Sequence, residues 1–211
     1  MSVFGPRGRR LRNGLVRSGQ RDLAARDLRQ VDGLLVTSAL RTACDLGRLL
    51  HRDQAIGALD ALVRTAAVSP EQLLAEIGRF RGYRGVRQLR TLAPIVDGRA
   101  ASPGESTLRL RWYDAGLPRP ECQVQVAGQD GGHLFVDIGL PEEKFGAEYD
   151  GADYHTELTR QHDERRRSWI ARPGEWLLVV ARSDDVHGRH QTIHARLREA
   201  YRQRGSRFGV C

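Results

Sequence analysis

An uninterrupted apolar run, WLLVVA from Trp176 to Ala181, restricts the fold of this chain more than any other feature. A run of this length without polar alternation is typical of a strand that is buried on both faces. Both faces of such a sheet must be covered by other elements, most simply by helices. The run therefore predicts an α/β arrangement around a buried strand.

The segments before this run supply the rest of the predicted sheet. Residues 122–127 and 134–139 alternate between apolar and polar positions, which indicates half-buried strands, and 145–150 begins in the same way. We predict helices over 102–116 and 158–171, and a last arginine-rich helix from Asp184. The order is helix, three strands, helix, strand, helix. It predicts a mixed sheet made of a meander and a crossover strand.

The N-terminal half carries a helical pattern from about Val31 to Val96. Thr37 and Ser38 are suited to cap a first helix, and Ser69-Pro70-Glu71-Gln72 combines a cap, a first-turn proline and a capping-box glutamine. Further helices are predicted over 55–66 and 85–93. The sequence thus predicts three regions: a basic, poorly ordered arm over 1–30, a small all-helical domain over 31–100, and an α/β domain over 101–211.

The charge balance is strongly basic, at +8 from 34 basic and 26 acidic residues, and Lys144 is the single lysine. The planar arginine fork donates two parallel hydrogen bonds and is a good phosphate ligand. A GC-rich genome would also favour arginine codons over lysine codons. The composition therefore permits a nucleic-acid partner without establishing one.

The three cysteines are Cys44, Cys122 and Cys211, and no two of them form a CxxC pair. Their odd number and wide spacing argue against a disulfide framework and a zinc site, and favour a reducing cytoplasm. No apolar run reaches the ~18–20 residues of a membrane span, and no apolar segment of signal-peptide type follows the basic N-terminus. We expect a cytoplasmic protein without membrane contact. A homo-oligomer is possible, but no sequence feature supports one.

Acidic residues gather in the stretch FGAEYDGADYH, from Phe145 to His155. Glu148 and Asp150 lie on one strand face, and Asp137 lies on the polar face of the preceding strand. Adjacent strands are ~4.8 Å apart, so these acids converge if the registers match. Carboxylates that close repel unless a proton or a cation intervenes, and all-oxygen ligands suit Mg²⁺ or Mn²⁺. The pattern predicts a divalent metal site.

Each of these residues also has a plain structural explanation. Glu105 occupies the last position of a Ser-x-x-Glu capping box, where it would stabilise a helix start. Asp137 could be a surface strand acid, and Asp150 with Gly151 could form a simple Asp-Gly turn. His155 alone would be an ordinary surface histidine. Both interpretations stay open for each residue.

Three further residues are candidates for contact with a substrate. Gln123 and Gln125 are predicted to face the same side of the sheet as the acids, although glutamine is common on polar strand faces. Arg166 could hold a phosphate, or it could form an i, i+3 ion pair with Asp163 on the helix.

The runs VDIGLPEEKFGAEYDGADYH, QHDERRRSWI and PGEWLLVVARSDDV resemble the PD-(D/E)XK restriction-endonuclease-like superfamily. Within it, they are similar to a branch that resembles very-short-patch mismatch-repair endonucleases. The resemblance covers roughly residues 102–186. The matching positions are Glu105, Asp137, Glu148, Asp150, Gly151, His155, Asp163 and Arg166.

The resemblance implies an αβββαβ core and magnesium-dependent hydrolysis of DNA. In it, Asp137 and Glu148 would hold Mg²⁺ or Mn²⁺, and Glu105 would complete the shell directly or through water. The family pattern places a lysine where this chain has Asp150, and Lys144 lies on the wrong side of Glu148. The mismatch-repair branch relies on histidine instead, which makes His155 the implied general base or water-orienting group.

The helical region resembles the segment that precedes this domain in many actinobacterial proteins, some related to abortive-infection antitoxins. Those proteins usually begin with a winged-helix DNA-binding domain, which we do not expect within this sequence. Two functions therefore stay open. The first is a metal-dependent DNA endonuclease in repair or defence. The second is a catalytically inactive nuclease-fold protein that acts as a DNA-binding or antitoxin-like regulatory module.

Overall fold

The computed structural model describes residues 2–5, 17–129, 131–151, 157–172, 175–187 and 192–208. The chain divides into two compact units, residues 1–42 and residues 43–211. Most of the predicted helical region, residues 43–100, lies in the second unit together with the predicted α/β region, whereas residues 31–42 lie in the first.

The first unit contains two small strand pairs. Strands β1 (Ser2–Gly5) and β2 (Arg17–Gln20) pair in parallel, and β3 (Leu28–Val31) and β4 (Leu34–Thr37) form an antiparallel hairpin. The hairpin turn is Asp32-Gly33, and both residues have positive φ, 48° and 77°. Two successive positive φ values are what a two-residue turn of type I′ requires, and Asp-Gly is a favoured pair for it. The prediction of a helical pattern from Val31 onward is therefore wrong up to Thr37.

Four helices follow the hairpin, close to where the sequence predicts them. The hydroxyl of Ser38 accepts a hydrogen bond from the peptide N–H of Arg41 at 3.2 Å, as an N-cap does. Ser69 and Gln72 form the predicted capping box, with bonds of 3.2 and 2.9 Å. The helices are α1 (Ala39–Leu49), α2 (Arg52–Arg64), α3 (Pro70–Glu76) and α4 (Val86–Leu92).

The C-terminal half is a four-stranded mixed sheet with helices, which confirms the predicted α/β class. Its elements are α5 (Pro103–Asp114), β5 (Glu121–Ala127), β6 (His133–Leu140), β7 (Phe145–Asp150), α6 (Glu157–Ile170) and β8 (Leu177–Arg182). The strand order is β5-β6-β7-β8; the first three strands are antiparallel neighbours, and β8 runs parallel to β7. The predicted meander and crossover strand are confirmed.

The end of the chain differs from the prediction of one helix from Asp184. A single turn, α7 (Ser183–Val186), is followed by a separate helix, α8 (Ile193–Phe208). Asp185 accepts a hydrogen bond from the peptide N–H of Arg182 at 2.8 Å and so caps the short turn. The apolar stripe of α8, including Ile193 and Leu197, is fully buried against the sheet.

The helical region packs on the sheet region through α5. Arg109 of α5 forms a buried ion pair with Asp60 of α2, and Arg111 contacts Asp53 of α2 at 2.5 Å. We call these four residues the helix junction. Arg109 also donates to the backbone carbonyl of Ile95. Long side chains from one helix thus fix the position of the other.

The helices in the described part of the chain include none with both the length and the apolar character needed to cross a bilayer.

Candidate functional site

Asp137 lies where strands β6 and β7 stop pairing. The ladder between them runs from Leu140↔Phe145 to Ile138↔Ala147. One residue further, the Asp137 carboxylate takes the place of a backbone partner: its Oδ2 accepts a hydrogen bond from the peptide N–H of Tyr149 at 2.7 Å. This bond fixes one carboxylate oxygen of Asp137 beside β7.

Strands β5 and β6 change faces beside Asp137. Cys122 and Ile138 pair with each other and belong to the apolar core on the α5 and α8 side of the sheet. Val124 and Val136, the next pair of the same orientation, belong to the cluster with Ile170 of α6. Strict alternation would keep both pairs on one face. The simple alternation that the sequence predicts for these strands is therefore wrong at this step.

The change of face coincides with an unusual backbone conformation at Gln123. Its φ is +53°, in the left-handed region that residues other than glycine rarely adopt. Gln123 lies between the two strand pairs, opposite Asp137. Its side-chain amide donates to Oε2 of Glu105 at 2.9 Å. A backbone irregularity thus places a strand side chain in contact with the start of α5.

Glu105 lies in the first turn of α5 beside the Ser102 cap, and its carboxylate makes two further contacts. The hydroxyl of Ser102 accepts from the peptide N–H of Glu105 at 3.1 Å, as an N-cap does. The Glu105 carboxylate accepts from the peptide N–H of Ala101 at 2.9 Å as well as from Gln123. Glu105 is half-buried, so its charge also acts on Asp137.

Burial raises the pKa of Asp137 to about 7, and the charges of Glu105 and Glu148 add to this effect. The peptide N–H of Tyr149 and the charge of Arg166 act in the opposite direction but do not cancel it. The start of α5 and β6 thus each contribute one carboxylate to this region, and β7 contributes two. We call Glu105, Asp137, Glu148 and Asp150 the acid site.

Glu148 is buried, with only 1% of its surface exposed. Its Oε2 accepts from Arg166 Nη2 at 2.8 Å and from Arg167 Nε at 3.0 Å. Among the described residues, its buried Oε1 has no hydrogen-bond partner. A buried carboxylate oxygen without a partner is costly unless a proton or a cation reaches it.

Arg167 is a member of this arrangement that the sequence did not single out. Its Nη1 donates to Oδ2 of Asp150 at 3.1 Å, so one guanidinium bridges Glu148 and Asp150. Burial disfavours its charge, yet its contacts with both acids raise the pKa of Arg167 above the usual value. The run Arg165 to Arg167 was the available signal, because successive helix residues point ~100° apart and only some can face the sheet.

Arg166 contacts the acid site rather than only its own helix. Besides Glu148, it binds the backbone carbonyl of Phe135 at 2.7 Å. It therefore links α6 to both β6 and β7.

Other predicted residues lie elsewhere. Gln125 is exposed and contacts His133 Nδ1 at 2.7 Å, within the β5–β6 hairpin. Lys144 binds Glu175 at 3.0 Å in the turn before β7. His155, predicted as general base, lies outside the described residues, which stop at 151 and resume at 157.

The acid site has the donor chemistry of a hard divalent cation, since it offers carboxylate oxygens only. The unpartnered Oε1 of Glu148 and the raised pKa of Asp137 both indicate missing positive charge. In the described part of the chain, however, no three or more histidine, cysteine, aspartate or glutamate residues are arranged so that they could hold a metal ion. The atoms are thus of the kind that a hard cation prefers, but the described carboxylates are not grouped as a metal site.

Comparison with known proteins gives two relatives. No protein-family model and no solved structure matches the chain. Two Mycobacterium tuberculosis proteins, uncharacterized protein MT2308 of strain CDC 1551 / Oshkosh and uncharacterized protein Rv2248 of strain ATCC 25618 / H37Rv, are each 34% identical to it over 173 residues. The match covers 81% of this chain but 63% of each relative, so the chain spans less than two thirds of their length.

Proposed function

We propose that this protein is a metal-dependent DNA endonuclease that hydrolyses phosphodiester bonds at the acid site. One observation carries the proposal: carboxylates from three separate elements act on one another in a half-buried place, and one of them, Asp137, has a pKa of about 7. Acids whose pKa is raised by burial and by like-charged neighbours are a common feature of functional sites. The element order from α5 to β8 also agrees with the restriction-endonuclease-like core that the sequence resemblance implies.

In this proposal Asp137 and Glu148 hold Mg²⁺ or Mn²⁺, and Glu105 completes the shell directly or through water. The bound ion would supply an activated water and would stabilise charge on the phosphate. Oε1 of Glu148 is the oxygen that stays free for it, since Oε2 is held by the two arginines. Asp137 would bind the ion once its carboxyl is deprotonated. The peptide N–H of Tyr149 occupies Oδ2 of Asp137, so Oδ1 is the oxygen that is left for the ion.

The remaining groups of the site orient the reactants. Arg166 and Arg167 hold Glu148 in place from the α6 side, and their positive charge also favours a phosphate nearby. His155 is proposed as the general base or water-orienting group, because the position of the family lysine carries Asp150 here. Arg167 contacts Asp150 directly and so supplies positive charge at that position.

The arginine contacts also favour a second candidate function. Arg166 and Arg167 already neutralise much of Glu148 and Asp150 without any metal. A protein that had lost catalysis could keep this ion-pair network to hold α6 on the sheet. In that case the chain would be a catalytically inactive DNA-binding or antitoxin-like regulatory module.

DNA cleavage assays separate the two candidates. Supercoiled, linear and mismatched DNA would be incubated with the wild type, Asp137→Asn and Glu148→Gln in Mg²⁺ or Mn²⁺. We expect metal-dependent nicking by the wild type and a loss of at least about 100-fold in each variant, since the loss of one key charge-stabilising group commonly has that effect. Glu199→Gln, which changes an exposed acid on α8, is the matched control and should keep full activity.

Two results would contradict the proposal of an endonuclease that acts at the acid site. Nicking that persists in both variants or in excess chelator would come from another site or a contaminant. DNA binding without cleavage under any divalent metal would support the regulatory module instead.

A further inference from the structure

The outer face of α6 borders an open groove that the acid site does not use. The groove has a volume of about 700 Å³ and lies beside the end of β5. Its α6 residues recur at intervals of three and four and so share one helix face. That face is distinct from the one that carries Arg166 and Arg167. The lining residues are Gln129, Glu164, Arg165, Ser168, Trp169 and Arg172.

Trp169 and Arg172 form a fixed platform in this groove. The indole N–H of Trp169 donates to the backbone carbonyl of Ala127 at 3.1 Å, which ties the ring to the end of β5. The guanidinium carbon of Arg172 lies 3.9 Å from the centre of the Trp169 ring, in a cation–π contact. The Arg172 side chain remains 41% exposed. The groove thus presents a flat, cationic surface whose orientation is set by the protein.

The positive charge of the groove is only weakly neutralised. Arg165 is exposed and has no hydrogen bond or ion pair with the residues that the structure describes. Arg172 is 3.8 Å from Glu175, but Glu175 is closer to Lys144, at 3.0 Å. Glu164 is the acid that lines the groove. Two arginines are therefore available for an anion, in contrast to Arg166 and Arg167.

We propose that this groove binds a single strand of nucleic acid. Arg165 and Arg172 would contact its phosphates, and an unpaired base would stack on the Arg172–Trp169 platform. The inference rests on the proposed function, since the bound segment would be part of the DNA substrate. Helix α6 connects the two places: one face holds the acid site through Arg166 and Arg167, and the other holds the strand next to it.

The combination of groups favours a nucleic acid over an acidic peptide. A peptide carboxylate would use only the charge of the arginines and not the flat face of the Arg172–Trp169 pair. A nucleic-acid strand uses both, because every base has a face that stacks and every linkage has a charge. An unpaired strand fits better than a duplex, whose bases already stack on each other.

The test measures binding to a fluorescently labelled single-stranded DNA of about a dozen nucleotides, with a matched duplex, in excess chelator so that no cleavage occurs. The key variant is Arg165→Gln with Arg172→Gln. Its control is Arg198→Gln with Arg202→Gln, which removes the same charge from exposed positions on α8. We expect the groove variant to bind about ten-fold more weakly or worse, with a salt-dependence slope lower by about 0.7 for each lost phosphate contact. The control should stay within about two-fold of wild type.

Two further variants separate stacking from charge. Trp169→Leu should weaken binding about five-fold or more, whereas Trp169→Phe retains an aromatic face and should lose less. Glu164→Gln removes the acid of the groove and should strengthen binding. Circular dichroism spectra and urea midpoints would establish that the Trp169 variants are folded at the temperature of the assay.

Equal weakening in the groove variant and the α8 control would overturn the inference, and so would identical binding by the two Trp169 variants. If a polyglutamate peptide competes as well as DNA of equal charge, the ligand of the groove is an acidic peptide and the proposed nucleic acid is wrong. Failure of the endonuclease is distinguishable: groove-dependent binding without any cleavage contradicts the proposed function alone. Cleavage whose dependence on DNA concentration is unchanged by the groove variant contradicts the groove alone.

Discussion

Asp60 at the helix junction and Glu148 at the acid site are equally buried, each with 1% of its surface exposed, but they are neutralised differently. Both oxygens of Asp60 are bound, one by Arg109 and the other by the peptide N–H of Asp97 at 2.9 Å. In Glu148, two arginines donate to Oε2, and Oε1 has no hydrogen-bond partner among the described residues. Both carboxylate oxygens of Asp60 are thus satisfied, whereas only one of those of Glu148 is.

The charged neighbours of Asp60 and Asp137 differ in the same way, since they act on the pKa of the two carboxyls in opposite directions. Burial raises the pKa of Asp60, and the charge of Arg109 together with hydrogen bonds from Asp97, Ser106 and Arg109 opposes the shift. Burial also raises the pKa of Asp137, but there Glu105 and Glu148 add to the shift. Partners with opposite charge are expected where a buried acid serves stability. Neighbours of the same charge are expected where the site must attract a proton or a cation.

The largest effect should come from opening the helix junction. Arg109→Met leaves Asp60 buried without its ion-pair partner, which should lower the free energy of unfolding by about 3–5 kcal/mol. Urea denaturation at neutral pH measures this loss. Adding Asp60→Asn to Arg109→Met should restore part of the stability, because an amide is less costly to bury than an unpaired charge. A loss below about 1 kcal/mol would show that the junction does not depend on this pair.

At the acid site, removing a charge should raise the free energy of unfolding at high pH, whereas removing Arg109 at the helix junction lowers it. The folded-state pKa of Asp137, about 7, lies above its ordinary value of 3.8. The native protein therefore binds this proton more tightly than the unfolded chain, and its contribution to stability is lost as the pH rises through 7. Asp137→Asn keeps an acceptor for the peptide N–H of Tyr149 but carries no charge. In chelator at pH 8 it should be more stable than wild type by about 2–4 kcal/mol.

Below about pH 3 the two proteins should have similar stability, since Asp137 is then largely protonated in both the native and the unfolded wild type. Urea midpoints across pH 4–8 measure this difference. A wild type whose stability relative to Asp137→Asn does not fall between pH 4 and 8 would contradict the raised pKa.

A smaller effect is expected where α5 approaches β7. A Cβ added at Gly104 would lie 2.1 Å from Cε1 of Tyr149, so Gly104→Ala forces the ring to move. We expect a loss of about 1–3 kcal/mol, measured by thermal unfolding. Gly78→Ala is the control, because a Cβ there meets nothing within 4 Å. Equal melting temperatures for the two variants would mean that Tyr149 adjusts without strain.

The smallest effect is expected for an exposed ion pair. Arg202 and Glu199 on α8 are 2.5 Å apart, but their side chains are 76% and 52% exposed. Glu199→Gln should change the free energy of unfolding by less than about 0.5 kcal/mol. Denaturant titration checks this, and a larger change would disqualify the variant as a control for the acid site.

Local signals predicted part of this molecule well. The start of α5 at Ser102 and the capping box of Ser69 depend only on neighbouring residues, and both are found where the sequence places them. The hairpin at Asp32-Gly33 is equally local, but the apolar residues on both sides of it also fit a helical pattern. An Asp-Gly pair between short apolar runs is a strong hairpin signal, and here it decides the local structure.

The features that depend on distant partners could not be predicted in the same way. The positive φ of Gln123 and the change of face beside Asp137 have no sequence signature, because alternation assumes a regular strand. The arginine run on α6 indicated positive charge, but the partner of Arg167 depends on how α6 lies on β7. Sequence could therefore identify the acids of the candidate site and Arg166, but not Arg167 or the contacts of both guanidinium groups with Glu148.

Direct measurement of Mn²⁺ binding by electron paramagnetic resonance at pH 8 tests the central claim that the acid site holds a divalent cation. We predict one saturable Mn²⁺ site in wild type that Mg²⁺ displaces. Asp137→Asn and Glu148→Gln should each lose it, and Glu199→Gln should retain it. An unchanged site in both acid-site variants, or no saturable binding by wild type, would contradict the account.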